Sequence, residues 1–290
     1  MWGLLSNPYS GGGKGQRLKN QVIEILRDKH QDFYDFSGQD QASARENLRL
    51  IRESELQGLI VIGGDGTINM AVQSLAKSNV PLAVIPAGTG NDFARTLGLN
   101  LKDPIKNLDT YFDSPVSFLD VGVVGDRYFV QILSTGFDSL VNERANALPL
   151  IKGRMKYNIA IILELLKFQP KKYHFVVDGV SFETKAMLIA VANGNCYGGG
   201  MLISPKSNPQ DGILDIMILG PVSKLEFIKV FPKVYRGAHI SHPAVKFISG
   251  KRVEIKSEAI AYADGERIGP LPVTAEIADG ALKVWSRWAH

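Results

Sequence analysis

Continuous apolar runs and helix-spaced apolar residues alternate along the first 120 residues. Leu59-Ile60-Val61-Ile62 and Leu82-Ala83-Val84-Ile85 are the clearest runs, and Trp2-Gly3-Leu4-Leu5-Ser6 is a shorter one. Runs without polar alternation are the mark of strands buried on both faces. Leu18, Val22, Ile25 and Leu26 then recur near the helical period, as do Ala44, Leu48 and Ile51 within 42–51, and a helix-compatible run covers 69–76. The alternation predicts a parallel sheet with helices on both faces. Past Asp120 the pattern changes to short β-rich segments at 121–124, 128–132, 173–177, 185–192, 213–219, 252–256, 273–277 and 282–285. Gly125-Asp126 and Asp178-Gly179 stand between such runs as hairpin turns. Helical stretches interrupt near 154–168 and 223–235. The expected architecture is α/β plus all-β. A three-layer α/β domain with a parallel sheet covers 1–120 and an antiparallel β-sandwich covers 121–290, its final residues packing back on the first domain. There is no internal repeat, low-complexity segment or long linker.

Composition narrows the class. The chain has 290 residues, 45% hydrophobic and 21% charged, which is ordinary for a globular protein. One cysteine, Cys196, excludes an internal disulfide and agrees with a reducing cytoplasm. The apolar start reaches a turn by Asn7, too early for a secretory signal, and no apolar run is long enough to span a bilayer. The net charge of +4 and isoelectric point near 9.0 suit a nucleotide or an anionic membrane surface. Nucleic acid is not expected as a partner, because basic runs of that type and zinc-ligand spacings are missing.

Each predicted strand of the first half runs into a polar or glycine-rich loop and then a helix. The loops are Asn7-Pro8-Tyr9-Ser10-Gly11, Gly63-Gly64-Asp65-Gly66-Thr67-Ile68-Asn69 and Pro86-Ala87-Gly88-Thr89-Gly90-Asn91-Asp92. A strand that ends in glycines and opens a helix presents backbone N–H groups to an anion, and phosphate is the expected guest. Ligands of open α/β sheets bind outside the carboxyl ends of strands. Asp65 would repel phosphate unless a divalent cation stood between them, so the reading is Mg²⁺-nucleotide binding. Asp65, Asp92 and Asp120 each fall at or just beyond a predicted strand end. Asp92 also reads as the cap of a helix from Phe93 onward. Asp264-Gly265, after Ile260-Ala261-Tyr262-Ala263, reads first as a hairpin turn. His239 and His242 read as loop structure and Cys196 as a bystander. The 159–166 stretch, flanked by Lys152, Arg154, Lys156, Lys167, Lys171 and Lys172, reads either as an amphipathic helix on an anionic membrane or as a packed helix with solvated ends.

These motifs resemble the diacylglycerol kinase catalytic-domain family, whose members include soluble bacterial diacylglycerol kinases, sphingosine kinases and ceramide kinases. The likeness rests on Asn7-Pro8-x-Ser10-Gly11, Gly63-Gly64-Asp65-Gly66-Thr67 and Pro86-x-Gly88-Thr89-x-Asn91-Asp92-Phe93-Ala94-Arg95. NAD kinases and phosphofructokinases share the Gly-Gly-Asp-Gly loop, and the third motif is what favours lipid kinases. The resemblance implies an ATP- and Mg²⁺-dependent lipid kinase with an NAD kinase/phosphofructokinase-like first domain. It assigns nucleotide contacts to residues 7–11, residues 63–69 and Thr89, with a weaker match around Ser37. Asp65, Asp92 and Asp120 would surround the catalytic Mg²⁺, partly through water. Asp264 would take the hydroxyl proton, with Glu266 orienting it or sharing the role. A second, structural Mg²⁺ would sit on the Asp211 carboxylate and the carbonyls of Asn208 and Ile213. Diacylglycerol is the leading acceptor, met at a membrane surface by a cytoplasmic, peripheral protein that could form a homodimer. The alternatives are a kinase of another lipid alcohol (a sphingoid base or monoacylglycerol), an NAD kinase, or a non-catalytic nucleotide-binding regulator.

Overall fold

A computed structural model describes residues 1–53, 55–146, 160, 163–165 and 167–286. Four parallel strands, β1 (Trp2–Ser6), β2 (Phe33–Asp35), β3 (Gly58–Gly63) and β4 (Leu82–Pro86), pair in the order β2-β1-β3-β4. Both faces of β3 are buried, and alternate residues explain why. Ile60 and Ile62 pack under α1 (Lys14–Asp28) with Leu18, Val22 and Leu26. Leu59 and Val61 pack under α2 (Gln41–Arg49) and α3 (Asp65–Leu75) with Leu48, Ile68 and Val72. Helix α2 begins with a capping box, in which Asp40 accepts the Ser43 N–H and the Ser43 hydroxyl receives the Asp40 N–H. Helix α3 starts at Asp65, four residues before the expected run.

The second half contributes two sheets. The strand β16 (Val273–Val284) lies beside β5 (Ser117–Val124) and β13 (Arg252–Lys256), and its end pairs in parallel with β4 through Val284 and Leu82. Parallel and antiparallel strands therefore form one mixed sheet. Where two strands were expected at 273–277 and 282–285, β16 is continuous with a register shift between Ala278 and Leu282. The expected 185–192 strand divides into β9 (Val180–Ala186) and β10 (Leu188–Ala192), which lie in different sheets.

The second sheet is antiparallel, built from β7 (Ile132–Gly136), β10, β11 (Leu214–Leu219), β12 (Val245–Gly250), β14 (Ile260–Ala263) and β15 (Glu266–Pro270). One of its faces carries Leu133, Ile189, Val191 and Ile216, which pack against Phe175, Val253 and Ile255 of the mixed sheet. The opposite face carries Ile132, Leu188, Ala190 and Met217 and is apolar as well. A sheet apolar on both faces needs cover on both. The mixed sheet covers the first. The second is covered in part by α6 (Phe137–Asn146), the helix Lys224–Val230 and the 3₁₀ turn Phe231–Arg236.

Of the predicted amphipathic helix, Lys152, Arg154, Lys156, Ile159 and Leu166 lie outside the described residues. Its described part is packed: Ala160 and Leu165 are buried with Phe137, Val141 and Phe227, and Glu164 pairs with Arg144. Among the described residues no helix is long and apolar enough to cross a membrane.

The end of the chain returns to its start. Trp285 stacks beside Trp2 and Tyr111, its indole N–H donates to the Ser114 carbonyl at 3.0 Å, and its backbone N–H reaches the Leu82 carbonyl. Trp285→Ala is therefore expected to cost about 3–5 kcal/mol in urea unfolding, with a single transition before and after. Two transitions in the parent, only one of them shifted by the substitution, would show that β16 does not couple the halves.

Candidate active site

The three loops converge because their strands are neighbours. The Asn7 N–H donates to the Ile62 carbonyl and the Ala87 N–H to the Gly63 carbonyl. Gly11 has φ +59°, and a Cβ there would stand 2.3 Å from the Ala87 carbonyl oxygen, so only glycine lets the first loop close on the third. Gly64 and Gly88 approach so nearly that a Cβ on Gly88 would fall 2.6 Å from the Gly64 Cα. The Asn7 side chain accepts the Tyr9 N–H at 3.1 Å and shapes the loop, while Tyr9 is exposed. Ser10, Gly11 and the N-terminus of α1 follow on the surface. Pro8 is half-buried. Ser37 touches Ser6 at the end of β1, donating from or accepting at Oγ 3.0 Å away.

Within the second loop the side chains diverge. Thr67 turns inward against Gly63, and Ile68 is buried. Gly63, Gly64 and Gly66 thus offer backbone alone. Thr89 is exposed at the cavity rim. Asn69 is buried and donates to Asp264 Oδ2 at 3.2 Å, a contact with the second half that its position in a phosphate loop did not suggest.

Asp65 opens α3, and its Oδ1 accepts the Phe93 N–H at 3.2 Å. Asp65, rather than Asp92, therefore caps the short helix α4 (Asp92–Thr96). Burial, the Asp92 charge and, more weakly, the Asp264 charge raise the Asp65 carboxyl to about 6, although the Phe93 N–H favours its ionised form. Asp92 is buried, and its two oxygens accept the N–H groups of Gly199 (2.8 Å) and Gly200 (2.6 Å) from the second half. The loop that carries Gly199 and Gly200 is held by this carboxylate.

Asp264 and Gly265 form the tight turn between β14 and β15, with φ of +48° and +84°. The hairpin reading holds, and the same carboxylate serves a second purpose. Asp264 Oδ2 accepts the Val130 N–H at 2.8 Å together with Asn69, and Oδ1 accepts the Gln131 and Ile132 N–H groups at 3.0 and 3.1 Å. Burial raises its carboxyl and these donors oppose the shift. Glu266 is exposed at the start of β15.

Asp120 is not at a strand end. It lies within β5, and its carboxylate accepts the Gly212 and Gly280 N–H groups, each at 2.7 Å. Burial and the neighbouring Asp279 raise its carboxyl, and those two donors hold it down. The structure thus joins Asp65, Asp92 and Asp264 electrostatically and ties Asp120 to the loop that carries Asn208, Asp211 and Ile213. In that loop Asp211 Oδ1 accepts the Ile213 N–H and Asn208 Oδ1 accepts the Gln210 N–H. Burial and the Asp215 charge raise the Asp211 carboxyl. Among the described residues no three His, Cys, Asp or Glu side chains gather closely enough to enclose a metal ion. A partial fit to a cation does exist at the other end. Oδ2 of Asp65 and Oδ2 of Asp92 lie 2.7 and 3.4 Å from where a Cβ on Gly90 would stand. Asp65 Oδ2 faces the same point as Asp92 Oδ2, and the burial and Asp92 charge that raise the Asp65 carboxyl are what a cation there would relieve.

Beside these carboxylates opens a cavity of about 840 Å³, near the upper end of the ~300–1,000 Å³ common for small-molecule sites. Asp65, Asp92 and Asp264 stand in its wall, which continues over Phe137, Val141, Met217, Phe227, Val230 and Val234. His239, buried, holds the Ile203 carbonyl and His242 pairs with Glu226, so both histidines brace this wall as loop structure. Cys196 is buried and its thiol is pushed up to about 12 by burial and the Asp92 charge. Sequence reading missed the cavity, and with it Asp138, Ser134 and Tyr197. The available signal was the apolar character of both faces of β10 and β11.

Comparison with known proteins identifies the fold as that of a lipid kinase. Residues 1–124 match the diacylglycerol kinase catalytic domain, and residues 131–286 match the YegS C-terminal NAD kinase beta sandwich-like domain. A diacylglycerol kinase of Mycobacterium tuberculosis is 36% identical over 97% of this chain and 93% of its own. One of Bacillus subtilis is 32% identical over 93% and 90%. A crystal structure of a diacylglycerol kinase from Bacillus anthracis superposes with TM-score 0.75 at 21% identity, covering 99% of this chain and 96% of that one. The chain belongs to the diacylglycerol kinase catalytic-domain family.

The raised Asp65 carboxyl gives a signed prediction. Its folded state holds the proton more tightly than the unfolded chain, so the protein loses stability as pH rises from about 4 to about 6 and carries the full penalty above. In metal-free protein at pH 7.5, Asp65→Asn should raise stability by on the order of 2 kcal/mol, and the gain should vanish by about pH 4. Calorimetry across that range checks it; a destabilised variant at pH 7.5 would contradict the assignment.

Proposed function

We propose that the protein transfers the γ-phosphate of ATP to the free hydroxyl of diacylglycerol, giving phosphatidic acid. The observation that carries this reading is the apolar cavity opening beside Asp65, Asp92 and Asp264. Catalysis of phosphoryl transfer is largely positioning and charge stabilisation. The 7–13 and 63–66 loops supply backbone N–H groups for the nucleotide phosphates. Mg²⁺, held by Asp65 and through water by Asp92, would neutralise the phosphate charge. The interdomain contacts of Asp92 and Asp264 fix the cleft, so that the lipid hydroxyl and the phosphate meet at its floor.

The proton acceptor follows from hydrogen-bond supply. Four N–H donors occupy the lone pairs of Asp264, which suits a positioning group better than a base. Glu266, exposed two residues on, keeps its lone pairs free to accept the hydroxyl proton. This favours Glu266 over the sequence expectation of Asp264. The two variants separate the roles. Glu266→Gln should lower kcat by ~10²–10⁴-fold with unchanged thermal stability. Asp264→Asn places a donor amide against N–H donors and should destabilise by about 1–3 kcal/mol. A stable Asp264→Asn protein without activity, beside an active Glu266→Gln protein, would return the base role to Asp264.

An assay with radiolabelled ATP against diacylglycerol, monoacylglycerol, a sphingoid base and NAD tests the substrate. Diacylglycerol should turn over fastest; phosphorylation of NAD in its place would overturn the lipid reading. Membrane access is read at the helix Lys224–Val230. Phe227 points inward to the cavity, while Leu225 and Ile228 are 73% and 58% exposed beside Lys229 and Lys233. An apolar face edged by lysines suits an anionic bilayer. Leu225→Asp with Ile228→Asp should weaken flotation with anionic vesicles about tenfold, with stability nearly unchanged. Unaltered flotation would remove this helix from the membrane face.

A further inference from the structure

Asp138 has no part in the chemistry above. It follows β7 as the second residue of α6 and stands in the cavity wall. Its Oδ1 accepts the Ser139 N–H at 2.8 Å, whereas Oδ2 is closed to bulk solvent and makes no hydrogen bond. Burial acts most strongly on the carboxyl; the Ser134 and Tyr197 hydroxyls and nearby N–H groups oppose it by favouring the ionised form, and none of these is a cation. Ser134 and Tyr197 line the same cavity.

A carboxylate with no cation beside it and one oxygen unpartnered is disfavoured in such a place, and the neutral acid is the form that burial selects. Burial already pushes Asp138 up to about 6, and acyl chains that displace cavity water would desolvate it further. A neutral carboxylic acid is a hydrogen-bond donor. Donors deep in an apolar cavity call for an acceptor on the ligand. Acyl esters bring acceptors, and ester carbonyls entering this cavity would otherwise be buried without partners. The spacing suits this. Ser134 is paired with Tyr262, two residues before Asp264, and two strand residues span roughly 7 Å, a distance that a glycerol backbone and one ester can cover.

We propose that Asp138, with Ser134 and Tyr197, forms an ester-recognition subsite inside the cavity, in which the Asp138 acid donates to an acyl-ester carbonyl and selects acyl esters over ether lipids. It rests on the lipid kinase reading above. The test is equilibrium dialysis of the full chain with radiolabelled dioctanoylglycerol and with its dioctyl ether, which keeps the hydroxyl and the chains but has no carbonyl. Phosphorylation of both is followed in parallel. The parent should bind the diester about tenfold more tightly than the ether. Asp138→Leu should abolish that preference by weakening the diester alone, and Asp138→Asn, whose amide still donates, should keep most of it. Where Asp138→Leu does not fold, Tyr197→Phe and Asp138→Asn carry the comparison, the former reducing the preference. Equal binding of diester and ether by the parent overturns the subsite, as does an Asp138→Asn protein that folds but has lost the preference. Selective binding of the diester without phosphorylation of either lipid would leave the subsite standing and refute the kinase. Equal binding with phosphorylation of both would do the reverse.

Discussion

One half-buried carboxylate crosses the cleft and accepts four N–H groups, and most of the site depends on it. Asp264 receives Asn69 from the glycine-loop helix of the first half and Val130, Gln131 and Ile132 from the second. A charge drawn this far from solvent is stabilised by the donors that surround it. Their geometry therefore fixes where α3 stands relative to β7. Asp92 repeats the device in the opposite direction, reaching from α4 to the Gly199 and Gly200 N–H groups. Between these two anchors lie Asp65 and the mouth of the cavity.

The cavity is a consequence of sheet patterning. β7, β10 and β11 are apolar on both faces, yet only one face meets another sheet. The helix Lys224–Val230 and α6 arch over the other and leave room between. The room between them is lined mainly by apolar side chains, and the loops that carry Asp65 and Asp92 stand at its opening. The lining thus suits a guest that is apolar along most of its length, with its polar end toward Asp65, Asp92 and Asp264.

Much of the first half was legible because its information is local. The 59–69 segment carries a buried run, glycines and a helix in consecutive residues, and the structure forms β3 and α3 there. The hairpin at Asp264-Gly265 was legible for the same reason. Contacts between distant residues were not. No local pattern shows that Val284 pairs with Leu82, that β9 and β10 part into two sheets, or that Asp92 finds partners more than a hundred residues away. Asp120 looked like a strand-end carboxylate because Ser117 to Leu119 reads ambiguously, whereas the strand runs through it to bind Gly212 and Gly280. Asp138 carried no motif. Its meaning comes from the cavity, whose walls are drawn from segments scattered over the second half.

A photoreactive diacylglycerol with a diazirine at the end of one acyl chain tests most directly whether this cavity is the lipid site. After irradiation and peptide mapping, adducts should concentrate on cavity-wall residues such as Phe227, Val230 and Val234 and should disappear when unlabelled diacylglycerol competes. Adducts confined to the outer surface or to the 7–13 loop, and indifferent to competitor, would place the lipid elsewhere and contradict the assignment.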